Sequence, residues 1–274
     1  MGGGHSMHDH GTAGGGLPAQ VLTLLVLAAV GVGYLLLVRR ALRRNAALGW
    51  SRARSAAFLA GLALLALALL PPLAPAAHTD FRAHMAQHML VGMHAPLALV
   101  LSAPVTLLLR TLPAQGARRL VAVVRGRCAR VLVHPAVALL LSTGTLGLLY
   151  FTPLYDTAMR HPAGHWLLHV HFLLSGCLFA HVMAGPDPAP DRPGVRARLV
   201  YLGGAVAAHA LIAQAMYGGF FVHVHAPVGQ VQQGAEIMYY GGDIAELLLA
   251  AALVATWRPE RRTRAGREAL RAAV

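Results

Sequence analysis

The sequence predicts an all-α polytopic membrane protein: a bundle of seven transmembrane helices with the N-terminus outside and the C-terminus cytoplasmic. Three observations carry that expectation. Seven apolar stretches each approach the roughly 20 residues that a helix needs to cross a bilayer. The 274-residue chain is 57% hydrophobic and only 12% charged, a membrane composition rather than a soluble one. All 23 basic residues are arginine, and all but Arg82 and Arg160 follow the first, third or fifth stretch or lie in the C-terminal tail. Cytoplasmic loops retain positive charge during insertion, so those gaps and the tail are assigned to the inner side.

Residues 1–16, rich in glycine and carrying His5, Met7, His8 and His10, are expected to be disordered. The first span lies near residues 17–38. Nothing basic precedes it, its core is long for a cleavable signal, and arginines follow, so it is read as a retained helix. The second to seventh spans lie near residues 55–75, 83–109, 131–152, 163–184, 199–222 and 235–256. Seven spans fill residues 17–256 as one transmembrane domain, and residues 257–274 form a basic cytoplasmic tail. The net charge of +13 would suggest nucleic acid in a soluble protein. Flanking membrane spans, these arginines meet anionic lipid heads instead, so the partner is the lipid bilayer and no nucleic acid is expected. Cys128 and Cys177 have neither disulfide nor metal-site spacing.

The 16 histidines carry the next layer. The third span opens with HMAQHMLVGMH, residues 84–94. His84 and His88 share one helix face, with Met85, Met89 and Met93 interleaved. The fifth span repeats the pair with His165 and His169. The sixth carries His209 near mid-depth, Met216 farther out, and His223 and His225 at its outer end. The seventh carries Met238 and Asp243 in its outer half and Glu246 deeper. Polar residues in a membrane are costly and normally face the bundle interior for a purpose. Any single histidine is explained by a hydrogen bond between helices, and methionines at helical spacing by packing. Two i,i+4 pairs at matching depth point to metal instead. Imidazole suits zinc, copper, iron and nickel, and thioether sulfur selects copper(I). The candidate ligands are His84, His88, His165, His169, Met85, Met89, His223, His225 and Asp243.

The string HMAQHMLVGMHAPLALVLSAPVTLLLR, residues 84–110, resembles the core signature of the seven-helix CtaG family of cytochrome c oxidase assembly factors. HPAVALLL from His134, the segment from Leu149 to Phe179, and MYYGGDIAELLLA from Met238 extend the resemblance over residues 80–250. It implies maturation of a haem-copper oxidase, with copper helped to its site. It marks His84, His88, Tyr155, Asp156, His165, His169 and Asp243, and places Tyr155 and Asp156 at the mouth of the site. The implied partners are cytochrome c oxidase subunits and a periplasmic-side copper donor, in the bacterial inner membrane. No outer CxC-like motif links the chain to the single-span, cysteine-bearing copper donor that shares the family's name.

Three functional classes follow from the histidines. A non-enzymatic assembly factor would hold copper(I) on the outer side and pass it on, binding more weakly as pH falls through about 6. A membrane cytochrome would hold haem between paired histidines. A copper permease would need ligands through the full thickness, for which His94, His181 and His209 are available. A retinal protein is disfavoured because the chain has no lysine. A hydrolase is disfavoured because Ser102, Ser142 and Ser175 lack a base and orienter in their sequence context.

Overall fold

In a computed structural model of the chain, residues 17–189 and 192–256 are described. The N-terminal His5, Met7, His8 and His10 and the arginine tail lie outside the described residues. Among the described residues the regular structure is entirely helical. Six segments are long and apolar enough to cross a membrane, and the shorter apolar segment Pro135–Tyr150 supplies the seventh span.

The first span is one continuous helix, α1 (Leu17–Arg44). The second, α2 (Arg52–Leu69), ends before Pro71 and Pro72, since proline has no amide hydrogen to continue a helical ladder. The short α3 (Leu73–Ala76) leads to a third span that is interrupted twice. Helix α4 (Phe81–Met89) enters a π-bulge at Leu90–His94, and α5 (Ala95–Leu101) follows. Ala103 then adopts a left-handed conformation, φ 57°, and α6 (Pro104–Thr111) resumes the span. Helices α7 (Ala114–Val124) and α8 (Arg127–Leu132) lie in the arginine-rich connection.

The fourth span is α9 (Pro135–Leu139), a second π-bulge at Leu140–Gly144, and α10 (Thr145–Tyr150). It is shorter than the expected 131–152, because Pro135 fixes its first turn and the chain turns at Phe151. After α11 (Leu154–Met159) come the long helices α12 (Pro162–Ala184), α13 (Val195–Tyr217) and α14 (Val228–Ala255). Helix α14 begins seven residues before the apolar stretch, whose glutamine-rich first turns hide the start from a hydropathy reading.

The third span is the hub of the bundle. Its α4–α5 stretch packs against α2, α12 and α14. Phe81, Met85, Met89, Tyr150, Phe172, Met216 and Met238 form one buried cluster. Phe179, Met183, Leu202 and Leu253 belong to a second, toward the arginine-rich side. Leu22, Leu25 and Leu36 on α1 remain exposed, as expected of a helix bordering lipid.

Both π-bulges have identifiable causes. Pro96 cannot donate to the Gly92 carbonyl, and the Ala95 amide bonds Leu90 instead of the usual residue. His94 Nδ1 closes on the Met89 carbonyl at 3.1 Å. In the fourth span the Leu141 carbonyl meets Thr145 Oγ1 at 2.8 Å and His171 Nε2, from α12, at 3.1 Å. At each bulge, then, one histidine takes up a carbonyl of the distorted turn. At the break before α6, Asp187 caps the new N-terminus, accepting from Val105 N at 3.0 Å and Thr106 N at 2.7 Å.

Candidate functional site

The site begins with how α4 is held. Asp80 has an extended backbone and caps the helix, its Oδ1 accepting from Arg82 N at 2.8 Å. The Arg82 guanidinium beside it keeps the Asp80 carboxyl below its usual range. That guanidinium also donates to Gln233 Oε1 of α14 at 3.0 Å, and Gln230 Oε1 accepts from Phe81 N at 3.1 Å. With its first turn tied to α14, α4 directs His84 and His88 into the bundle. They are 3% and 4% exposed.

The environment of this pair is aromatic and sulfur-rich. His84 packs between Phe81, ring centroids 5.8 Å apart, and the edge of Tyr155 at 5.0 Å. His88 meets Phe172 of α12 edge-on at 4.2 Å. Met85 is fully buried, and Tyr150 Oη points to its sulfur at 3.9 Å. Burial, followed by the charge of Asp156, pushes the Tyr155 phenol above its ordinary value.

A second run of imidazoles approaches from α12. His165 and His169 contact each other with centroids 4.3 Å apart, and His78, in the turn before α4, contacts His165 at 4.4 Å. Gln87, which lies between His84 and His88 on α4, lines one cavity with His78, His165 and His169. His84 Nδ1 and Nε2, His88 Nδ1 and Nε2, and His165 Nε2 are buried with no hydrogen-bond partner among the described residues. Unpaired buried polar groups are costly, so such a concentration calls for a ligand.

The structure therefore brings His84, His88, His165, His169 and Met85 into one neighbourhood. Met89 packs nearby against Gly241, where an added Cβ would stand 3.3 Å from its Cγ. His223 and His225 are engaged elsewhere. His223 Nδ1 pairs with the Phe221 carbonyl at 2.9 Å, and exposed His225 pairs with Asp156. Asp156 thus sits at the same mouth as Tyr155, holding a loop histidine. Asp243 lies half-buried on α14, one turn before Glu246.

Two groups escaped the sequence reading. His78 is one, a lone histidine in a turn. The other is the pairing of His209 with Glu246, named above only singly and here buried 3.7 Å apart. With His88, Ser175 and Thr143 they line a cavity of about 60 Å³ between the two π-bulges. The His209 ring presses on Gly242 of α14, where a Cβ would stand 2.1 Å from its Cε1.

The donor set is suited to a soft or borderline metal: neutral-capable imidazoles with a thioether beside them. Among the described residues, no three His, Cys, Asp or Glu side chains converge as a ready-made metal-holding group. Coordination here would use pairs of imidazoles or a modest rotation of rings that have no competing hydrogen bond.

The profile of the cytochrome c oxidase caa3 assembly factors (Caa3_CtaG) matches residues 32–260. Uncharacterized proteins of Mycobacterium bovis and Mycobacterium tuberculosis are each 32% identical over 247 residues, covering 83% of this chain and 37% of their own length. One from Mycobacterium leprae is 30% identical over the same extent. The chain thus spans little more than a third of the curated relatives it matches. No solved structure matches.

Proposed function

The chain belongs to the family of cytochrome c oxidase caa3 assembly factors, and from that premise we propose that it holds copper(I) as cargo for a haem-copper oxidase. The His84–His88 pair is the principal binding site, with His165 and His169 beside it and Met85 as a soft neighbour. With the arginine-rich connections on the inner side, this cluster would face outward from what we take as a bacterial inner membrane. There it would receive the ion from a periplasmic-side donor and release it to an oxidase subunit. Only metal–ligand bonds would be exchanged, with no covalent bond of the donor or the oxidase altered, so the role assigned here is carriage rather than catalysis.

The observation that carries this reading is the set of unpartnered ring nitrogens on His84, His88 and His165. A purely structural histidine would have been given a partner, as His94 and His171 were. Copper(I) is a d10 ion with no geometric demand from its d electrons, so it accepts an irregular imidazole set. Haem fits less well, because ring centroids 4.3 and 4.4 Å apart leave no slot for a macrocycle between those rings. The permease reading loses ground, since His94 is committed to a π-bulge.

The test is complementation. Cells lacking the protein should regain oxidase activity with the wild-type chain and not with His84→Ala/His88→Ala at equal membrane abundance. Full rescue by the double variant would remove the pair from the function.

A further inference from the structure

We infer that a soft monovalent cation reaches the buried His84–His88 pair through a side cavity, with His78 as its outermost ligand and His165 and His169 as the steps between. This rests on the copper reading above and adds a route to it. The cavity measures about 360 Å³ and lies between α1, the α2–α3 connection and α12. Its polar lining comes from His78, His165, His169 and Gln87 together with Gln20 and Thr23 of α1, on otherwise largely apolar walls that include Leu65 and Leu69.

Exposure falls in order along this route. His78 is exposed, His165 and His169 are half-buried, and His84 and His88 are buried. Successive rings touch, His78 to His165 at 4.4 Å and His165 to His169 at 4.3 Å. Gln87, on the same cavity wall as His165 and His169, sits on α4 between His84 and His88. Along the cavity an ion can therefore exchange one imidazole for the next, one metal–nitrogen bond forming as another breaks, and a ring rotation beside Gln87 would complete the passage to His84 and His88.

Gln87 gives a second, independent sign that the cavity takes a polar guest. It is 1% exposed, and its Nε2 is spent on the Ala68 carbonyl at 2.8 Å. Its Oε1 has no partner among the described residues although the side chain lines the cavity. That oxygen is closed to solvent, which leaves it to accept from an imidazole N–H reoriented by metal. His78 is the one histidine of the run outside both helical pairs, and its position at the rim explains why the turn before α4 carries it.

Two measurements test the route. In metal-free protein in membranes, carbethoxylation of histidines mapped by mass spectrometry should modify His78 first, then His165 and His169, and His84 and His88 last. Labelling of His84 or His88 before His78 overturns the route. In stopped-flow loading from a buffered copper(I) chelate, His78→Ala should slow uptake by about tenfold, an added barrier of about 1.4 kcal/mol. Leu69→Trp, which fills the cavity and leaves every histidine in place, should slow it as well. If the wild type loads and both variants load at its rate, the route is wrong while the copper reading stands. A wild type that takes up no copper(I) overturns both.

Discussion

Gly176 of α12 lies so close to Gly92 of the third span that a Cβ at position 176 would stand 2.0 Å from the Gly92 oxygen. That oxygen belongs to the carbonyl that Pro96 cannot serve. The π-bulge, the missing amide and the small residue on the neighbouring helix are thus one device: they let α12 approach and place His165 and His169 beside His84 and His88. Bulges of this kind are frequent at functional sites.

Gly176→Ala should therefore part α12 from the third span. Overpacking at a well-packed contact typically costs about 1–3 kcal/mol, and backbone on the facing side has little room to yield. The expected outcome is a lower unfolding temperature in detergent, with copper(I) binding weakened in the protein that remains folded.

The same logic separates glycines that touch from those that do not. Gly242→Ala should displace the His209 ring and destabilise the protein. Gly203→Ala, with nothing within 4 Å of the new Cβ, should be neutral or gain up to about 1 kcal/mol from helix propensity. Parallel unfolding curves decide it: equal behaviour of the two variants would contradict the packing of His209 on Gly242.

At the opposite side, Asp187→Ala should leave the Val105 and Thr106 amides uncapped where the third span restarts. Loss of an N-cap costs about 0.5–2 kcal/mol. Asp187→Asn keeps one acceptor oxygen and should fall between, as read by chemical denaturation of the two variants against wild type.

Asp80 gives a pH dependence with a defined sign. Its folded carboxyl titrates below its ordinary value, so its contribution is fully present above an unfolded value of about 3.9 and is lost as pH falls through the lower folded value. Wild type should exceed Asp80→Asn in stability at neutral pH, and the gap should close only in that acidic window. A gap independent of pH would show that the cap alone matters, without the charge beside Arg82.

Much of this architecture was legible in the sequence. Arginines mark the span ends, and the spacing of His84 with His88 and of His165 with His169 fixes shared helix faces whatever the fold. Other features were hidden for physical reasons. Pro96 sits in an apolar run that reads as an unbroken helix, so hydropathy shows no bulge. The break at Ala103 uses a residue that ordinarily favours helix. His223 and His225 resemble further ligands by type, but their loop turns them to a backbone carbonyl and to Asp156. His78 and the His209–Glu246 pair depend on contacts between segments far apart in the chain, which no local pattern announces.

The most direct test of the central claim is copper(I) titration of the purified protein against a competing chelator, for wild type and for His84→Ala/His88→Ala. The account predicts that wild type withdraws copper(I) from the chelator and that the double variant loses that high-affinity binding while remaining folded by circular dichroism. Equal stoichiometry and affinity in the two proteins would contradict it.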